Sequence, residues 1–429
     1  MRSLIIPASL LLVLGCTPRS GAVLPPPDGD TAQGDDTGPP GETEPEDIGE
    51  NPQEEPDDPA AWIFTLDRVH EVDIVLEPEA LAELRSWPSY YTWDLPYDYV
   101  EGSVTFDGEL LDGVGVRLKG KASYRGLDGK ASFKIDINRF AEGQSFDGLK
   151  KLTLNNMVSD YSQLHEHLAY HIHNAVGLRA PRTAYAWVTL NEQPYGLYVL
   201  LETPDCVFTD GLEPPGGNLY DGDYYVYSDG SYNTVDFVQG RQVFDLDCGE
   251  DVGMADLQAI TDALDATIGT PAFWETTSPL VDWDRHLALW ASEYWVGQTD
   301  GYSGNSNNYR VYFPSDGGPM WMVPWGHDWA FSFGYDWSSS AAGRLSSACL
   351  QDATCTARQR EIFDQTWASI GELPLQDQFD EAQAFIQPYV EEDPRREVDL
   401  HTFVIYQGLI LQWLQGRDAT VRGHWGIEG

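Results

Sequence analysis

The sequence predicts an α+β fold: a strand-rich half followed by a helix-rich half, with a cleft between two lobes. Up to Glu202 the apolar residues mostly alternate at period two, in runs separated by Gly, Asp and Pro. From Met254 onward they recur at helical spacing in five long segments. No internal repeat is visible, and a run of strands followed by a run of helices is the pattern of an α+β domain.

In chain order, "VHEVDIVLE" alternates as a strand, and "PEALAELRSW" is a short helix with Pro78 near its start. "YVEGSVTFDGELLDGVGVRLKG" forms strands around a turn at Asp107-Gly108, and "SFKIDINRF" is a further strand. "SQLHEHLAYHIHNAVGL" is an amphipathic helix, with Ser162 as its expected N-cap. "TAYAWVTLNEQPYGLYVLLE" is a hairpin of two strong strands. Residues 205 to 250, rich in Gly, Asp and Tyr, are expected to be an irregular excursion. The helices follow in "MADLQAITDALDATI", "WDRHLALWASEYWV", "REIFDQTWASI", "DEAQAFIQPYVEE" and "HTFVIYQGLILQWLQGRDATVRGHW". Between the second and third lies "NSNNYRVYFPSDGGPMWMVPWGHDWAF", with asparagines, an aromatic hairpin and a single carboxylate, Asp328.

The chain has 429 residues, 69 of them acidic against 25 basic, for a net charge of −44. Such a surface repels phosphate backbones, so no nucleic-acid partner is expected. The opening "MRSLIIPASLLLVLGC" has a charged start and an apolar run too short to span a bilayer, which makes residues 1–16 a signal segment. Its end, Val13-Leu14-Gly15-Cys16, resembles a bacterial lipobox. The resemblance implies cleavage before Cys16, lipidation of that thiol and attachment to a membrane through the lipid. With Thr17 following the cysteine, an exported lipoprotein of the outer membrane or cell surface is expected. Residues 17–60 are Pro, Gly, Asp and Glu with almost no bulky apolar content, a composition that cannot offset ordering entropy and predicts a disordered tether. Residues 61–429 are the folded domain.

Four cysteines remain, Cys206, Cys248, Cys349 and Cys355, and an even number in an exported protein suggests disulfides, with three possible pairings. Cys349–Cys355 would close a small loop, and Cys206–Cys248 would then tie the excursion.

Three constellations bear on chemistry. "GVRLKGKASYRGLDGKASFKI" gathers Arg117, Lys119, Lys121, Arg125, Lys130 and Lys134 in a chain short of cations. Arg117 and Lys119 share one strand face, and Lys134 sits mid-strand between Phe133 and Ile135. Such cations suit a phosphate cradle, or else a solvated basic face. On the helix "HEHLAYHIH", His167 and His171 stand four residues apart but lack a third metal ligand, and Glu166 could reach the strand bearing Lys134. Asp300 follows a helix and precedes Asn308 by eight residues, the plan of an Asp base and an Asn metal ligand in phosphoryl transfer, with Asp328 as a metal carboxylate. The plainer reading is that these Asp and Asn cap turns.

Five segments in order resemble the CotH kinase family, the spore-coat-protein-H-like atypical protein kinases. They are "GVGVRLKGKAS", "KASFKIDINRF", "FDGLKKLTLNNMVSDYSQLHEHLAYHI", "GLRAPRTAYAWVTLNEQPYGLYVLLE" and "NNYRVYF…WMVPWGHDWAF". The resemblance implies an atypical protein-kinase-like two-lobed fold. It also implies ATP with Mg²⁺ or Mn²⁺, and phosphoryl transfer to Ser or Thr of an extracytoplasmic protein. Lys134 would contact nucleotide phosphates, Arg117 and Lys119 would line the pocket, and Glu202 would lie near the nucleotide. Asp300 would be the catalytic aspartate, with Asn308 and Asp328 at the metal. One departure stands out: the family's Pro-Trp-Asp-x-Asp is Pro324-Trp325-Gly326-His327-Asp328 here. A catalytically inactive pseudokinase, acting as a cell-envelope structural or binding protein, is therefore the alternative.

Overall fold

A computed structural model describes residues 58–228, 231–332, 334 and 336–427. The signal segment, Cys16 and nearly all of the expected tether lie outside the described residues.

Seven strands close into a barrel in the order β1-β2-β3-β4-β5-β7-β6. They are β1 (His70–Val75), β2 (Val100–Phe106), β3 (Glu109–Lys119), β4 (Ser132–Asp136), β5 (Lys151–Asn155), β6 (Thr183–Leu190) and β7 (Gln193–Glu202). Neighbours are antiparallel except β1 and β6, whose parallel pairing closes the barrel. Alternation decides what faces inward. Val116, Leu118, Phe133, Ile135, Leu152 and Leu154 are buried in the barrel's core. The residues between them, Arg117, Lys119, Lys134, Thr153 and Asn155, point outward on three adjacent strands. Register aligns them, Arg117 opposite Lys134 and Lys134 opposite Thr153. The β2–β3 turn uses Asp107 and Gly108, both at positive φ (46° and 88°), as Asp-Gly hairpin turns require.

Two helices interrupt the barrel strands, α1 (Pro78–Ser86) and α2 (His165–Ala175). Ser162 is not the cap of α2. Asp160 takes that role at a distance, accepting from the backbone N–H groups of Ser162 (2.9 Å), Gln163 (2.9 Å) and His165 (2.7 Å), so the loop is tied before the helix begins.

The excursion after β7 is more regular than its composition suggests. It holds α3 (Cys206–Asp210), β8 (Gly217–Gly222), β9 (Tyr225–Val226), β10 (Tyr232–Asn233), α4 (Phe237–Gly240) and β11 (Phe244–Cys248). β8 and β11 join the later hairpin β12 (Tyr309–Pro314) and β13 (Trp321–Pro324) in a sheet of order β11-β8-β12-β13. Composition missed this because the pairing partner of β8 lies some ninety residues downstream. Disulfides join Cys206 to Cys248 and Cys349 to Cys355.

The helical half comprises α5 (Ala255–Thr267), α6 (Phe273–Thr277), α7 (Trp283–Val296), α8 (Tyr302–Asn305), α9 (Arg344–Cys349), α10 (Ala353–Gly371), α11 (Leu375–Glu392) and α12 (Leu400–Trp425). α7 is its central element, with Leu287, Trp290, Ala291, Tyr294 and Val296 fully enclosed. A second core, built around α2, α7, α10 and α12, meets the outer face of the barrel. Of the described helices, none is long and apolar enough to cross a membrane.

Candidate functional site

The outward cations of β3 and β4 face the segment that follows β13. Lys119 donates through Nζ to Oδ1 of Asn155 on β5. The Asn155 amide nitrogen in turn donates to both carboxylate oxygens of Glu166 (3.0 and 2.8 Å). Glu166 is buried in the first turn of α2. The strand–helix link therefore runs Lys119–Asn155–Glu166, not from Lys134 as the sequence suggested, because Lys119 and Asn155 stand at the barrel edge nearest α2. Burial lowers the affinity of the Lys119 ammonium for its proton, and the charges of Glu166 and Asp328 oppose that shift.

Lys134 makes no hydrogen bond or ion pair with the described residues. Burial first, then the neighbouring Arg310 and Arg117 guanidinium groups, lower its pKa to about 8. Arg310 on β12 is itself held by Asp221 (2.9 Å) and Asp247. Its guanidinium lies 5.3 Å from the Trp325 ring centroid, and Lys119 lies 5.8 Å from the same ring. Arg117 rests against Tyr97 and Tyr99. A half-buried cation with no direct ion pair among the described residues, beside two more, is a place where phosphate oxygens would be stabilised.

Asp328 brings the opposite charge. Burial pushes its carboxyl upward, Lys119 opposes that shift, and Asp300 and Asp160 add to it. Its backbone carbonyl accepts a hydrogen bond from His165 Nδ1 (2.9 Å). Behind it, His327 and His173 share a buried contact of 2.8 Å between Nε2 atoms.

Asp300 lies past the C-terminus of α7, in the loop before α8. Three asparagines converge on it: Asn305 on Oδ1 (2.7 Å), Asn307 and Asn308 on Oδ2 (3.0 and 2.9 Å). Burial raises its pKa and the three amides work against that. Asn307 also donates to the Tyr224 hydroxyl (3.0 Å), which ties the loop to the excursion. The loop's base is Glu293 on α7, fully buried, accepting from the N–H groups of Tyr302 (3.3 Å) and Ser303 (3.4 Å). Gly326 stands at φ +61°, and its carbonyl accepts from Gln298 (2.7 Å).

The structure thus brings together Arg117, Lys119, Lys134, Asp300, Asn308 and Asp328. It does not bring Glu202 to them. Glu202 pairs in register with inward-facing Leu152, on the opposite face from Lys134, and is gripped by Arg179 (2.9 Å to each oxygen) and Arg182 (2.8 Å). His167 and His171 bond separately, to Thr183 and Gln378. Sequence reasoning missed Asn155, Arg310, Trp325 and Glu293. The first had a signal, an outward-facing amide in register with the cations.

For a divalent cation the donor chemistry is suitable: carboxylate and amide oxygens suit Mg²⁺ and Mn²⁺. Among the described residues no group of three His, Cys, Asp or Glu is arranged to hold a metal alone. The residues fit a cation completed by phosphate oxygens and water. A cavity of about 670 Å³ lies elsewhere, between Gly217, Asn218, Asp256, Ile260 and Phe313; the residues of the candidate site are half-buried.

The family model described as CotH kinase protein matches residues 116–421. The chain belongs to the CotH kinase protein family. The match takes in every residue of the constellation, from Arg117 to Asp328. The inner spore coat protein H of Bacillus subtilis (strain 168) is 22% identical over 313 residues, covering 70% of this chain and 84% of the relative. Among solved structures, the Helicobacter pylori proinflammatory kinase CtkA is 10% identical, covering 76% of this chain and 93% of its own, with a TM-score of 0.26. A Golgi casein kinase with Mn/ADP bound is 12% identical, covering 81% and 75%, with a TM-score of 0.29. Neither superposition is close enough to argue from. Family membership supports a kinase-like function, and the constellation has the charges such a function needs.

Proposed function

We propose that this protein is an exported lipoprotein kinase. In this reading it transfers the γ-phosphoryl group of ATP to a Ser or Thr hydroxyl of an extracytoplasmic protein. The observation that carries the reading is the pair of outward cations Lys134 and Lys119: Lys134 makes no ion pair with the described residues, and Lys119 lies beside the Asp328 carboxylate. Lys134 and Arg117 bind phosphate oxygens, and Lys119, held by Asn155 and Glu166, orients them. Asp328 and Asn308 would hold a divalent cation, which would supply charge neutralisation on those oxygens. Asp300 accepts the hydrogen bond of the acceptor hydroxyl and takes its proton as the oxygen bonds to phosphorus and ADP leaves. The amides of Asn305, Asn307 and Asn308 keep the carboxylate aimed.

The second reading is a binding protein without catalysis. Gly326 favours it, since only one carboxylate stands in the Pro324–Asp328 stretch, and so does the saturation of Asp300 by three amides. Thermal melting with ATP, with and without Mg²⁺ or Mn²⁺, separates the two. Kinase function requires a metal-dependent rise in Tm that Lys134→Ala abolishes, together with label transfer from [γ-³²P]ATP. No rise at any nucleotide concentration overturns it.

A further inference from the structure

A hydroxyl of the chain itself stands beside the candidate base. The Asn307 amide nitrogen carries two hydrogens. It donates to Oδ2 of Asp300 (3.0 Å) and to the Tyr224 hydroxyl (3.0 Å). The phenol oxygen and the carboxylate are therefore neighbours on one nitrogen. Electrostatics agrees with this placement: burial, then the charge of Asp300, pushes the Tyr224 hydroxyl up to about 12.

Tyr224 lies just past β8, whose Asp221 holds Arg310. The preceding residue, Asp223, pairs with Lys121, and the Lys121 ammonium lies 4.1 Å from the centroid of the Tyr224 ring. Lys121 follows Lys119 by two residues, at the end of β3. Trp93 and Tyr232 pack against the same ring, with centroids 5.8 and 5.4 Å away. Tyr224 thus touches the basic end of β3 on one side and the Asp300 loop on the other. In the kinase reading those are the two sides between which the phosphoryl group moves. The next tyrosines, Tyr225 and Tyr227, are exposed and meet each other at 4.8 Å.

We propose that Tyr224 is an autophosphorylation site, filled from ATP by the same chain that carries it. This rests on the kinase reading and adds to its acceptors one hydroxyl of the protein's own. The hydroxyl first turns from the Asn307 amide to Oδ2 of Asp300, a change of one hydrogen-bond partner. The Tyr224 oxygen then bonds to the γ-phosphorus. The bond from that phosphorus to the oxygen bridging the β-phosphate breaks, and ADP leaves with the electron pair. The phenolic proton passes to Asp300. Tethering takes the place of affinity for an outside acceptor, since a well-placed intramolecular group has an effective molarity on the order of 10⁵ M or more.

The test incubates the full chain, with Cys16→Ser to keep it free of lipid, with ATP and Mn²⁺ and maps phosphate by peptide mass spectrometry. The expected result is one phosphate on Tyr224, gained at a rate per chain that does not change on dilution. Tyr224→Phe should lose that phosphate and keep the ATP-dependent rise in Tm, whereas Lys134→Ala should lose both. A chain whose Tm rises with ATP while Tyr224 stays unmodified overturns this proposal and leaves the kinase reading standing. A rate per chain that grows with concentration also overturns it, because the geometry lies within one molecule. No rise in Tm overturns both. A second measurement needs no nucleotide. In a double-mutant cycle of unfolding, Tyr224→Phe and Asn307→Ala should together cost less than the sum of their separate costs. A strict sum would mean that the hydroxyl is not held at the base's own amide, and the proposal would fall.

Discussion

Asn308 occupies the space beside Gly326: a Cβ placed at residue 326 would lie 2.6 Å from the Asn308 carboxamide oxygen. The same amide holds Asp300 through its nitrogen, so one side chain connects the candidate base to the backbone before Asp328. Gly326→Ala adds this collision to a left-handed backbone, which costs a non-glycine residue about 1–2 kcal/mol. The variant should lose at least that much stability in urea unfolding. Its cost should shrink in an Asn308→Ala background, because the atom in the way is gone. Additive costs would show that the two residues are not in contact.

Lys134 gives the nucleotide reading a pH signature. Its pKa of about 8 means that the ammonium is progressively lost above that pH in the free protein. Burial first, then Arg310, Arg117 and Lys151, favour the neutral amine, and Asp247 favours the charge. Affinity for ATP should therefore fall as pH rises from about 7 to 9. Lys134→Arg should remove the fall, because guanidinium stays charged. Titration calorimetry across this range tests it.

Lys119→Met should reduce phosphoryl transfer by roughly 10²–10³-fold, the usual loss when one preorganised charge is withdrawn from a transition state. Glu202→Gln should leave transfer within about twofold while lowering stability, since Arg179 and Arg182 lose a charged partner on the far face. A large effect of Glu202→Gln on transfer, with stability intact, would contradict the register described above.

Glu293 should make stability depend on pH. Burial raises its pKa from the ordinary 4.5 to about 8. Between those values the folded protein holds a proton that the unfolded chain has released. Its contribution is complete below pH 4.5 and is lost as pH rises toward 8, at about 1 kcal/mol per pH unit. Glu293→Gln should flatten the wild-type slope of unfolding free energy between pH 5 and 8, and an unchanged slope would count against a protonated Glu293.

The disulfides should contribute unequally. The pairs are separated by 42 and 6 residues. Loop-closure entropy then gives about 4 kcal/mol for Cys206–Cys248 and about 2 kcal/mol for Cys349–Cys355. Unfolding of the two Cys→Ser pairs measures the difference.

What the sequence by itself determined was local. Period-two alternation in "GVRLKG" and "SFKID" set Arg117, Lys119 and Lys134 on an outward face, and helical spacing marked α5, α7 and α10 to α12. Those patterns are legible because a side chain's direction depends only on its own backbone. Tertiary structure decided the partners. Strand register put Asn155 between Lys119 and Glu166 and turned Glu202 away. Sheet pairing across some ninety residues recruited β8 from a segment whose composition suggested loop. The fold of the α7–β12 loop, closed over buried Glu293, made three nearby asparagines converge on Asp300. Such relationships depend on which distant segments share a core, and no window of sequence contains both halves of the contact.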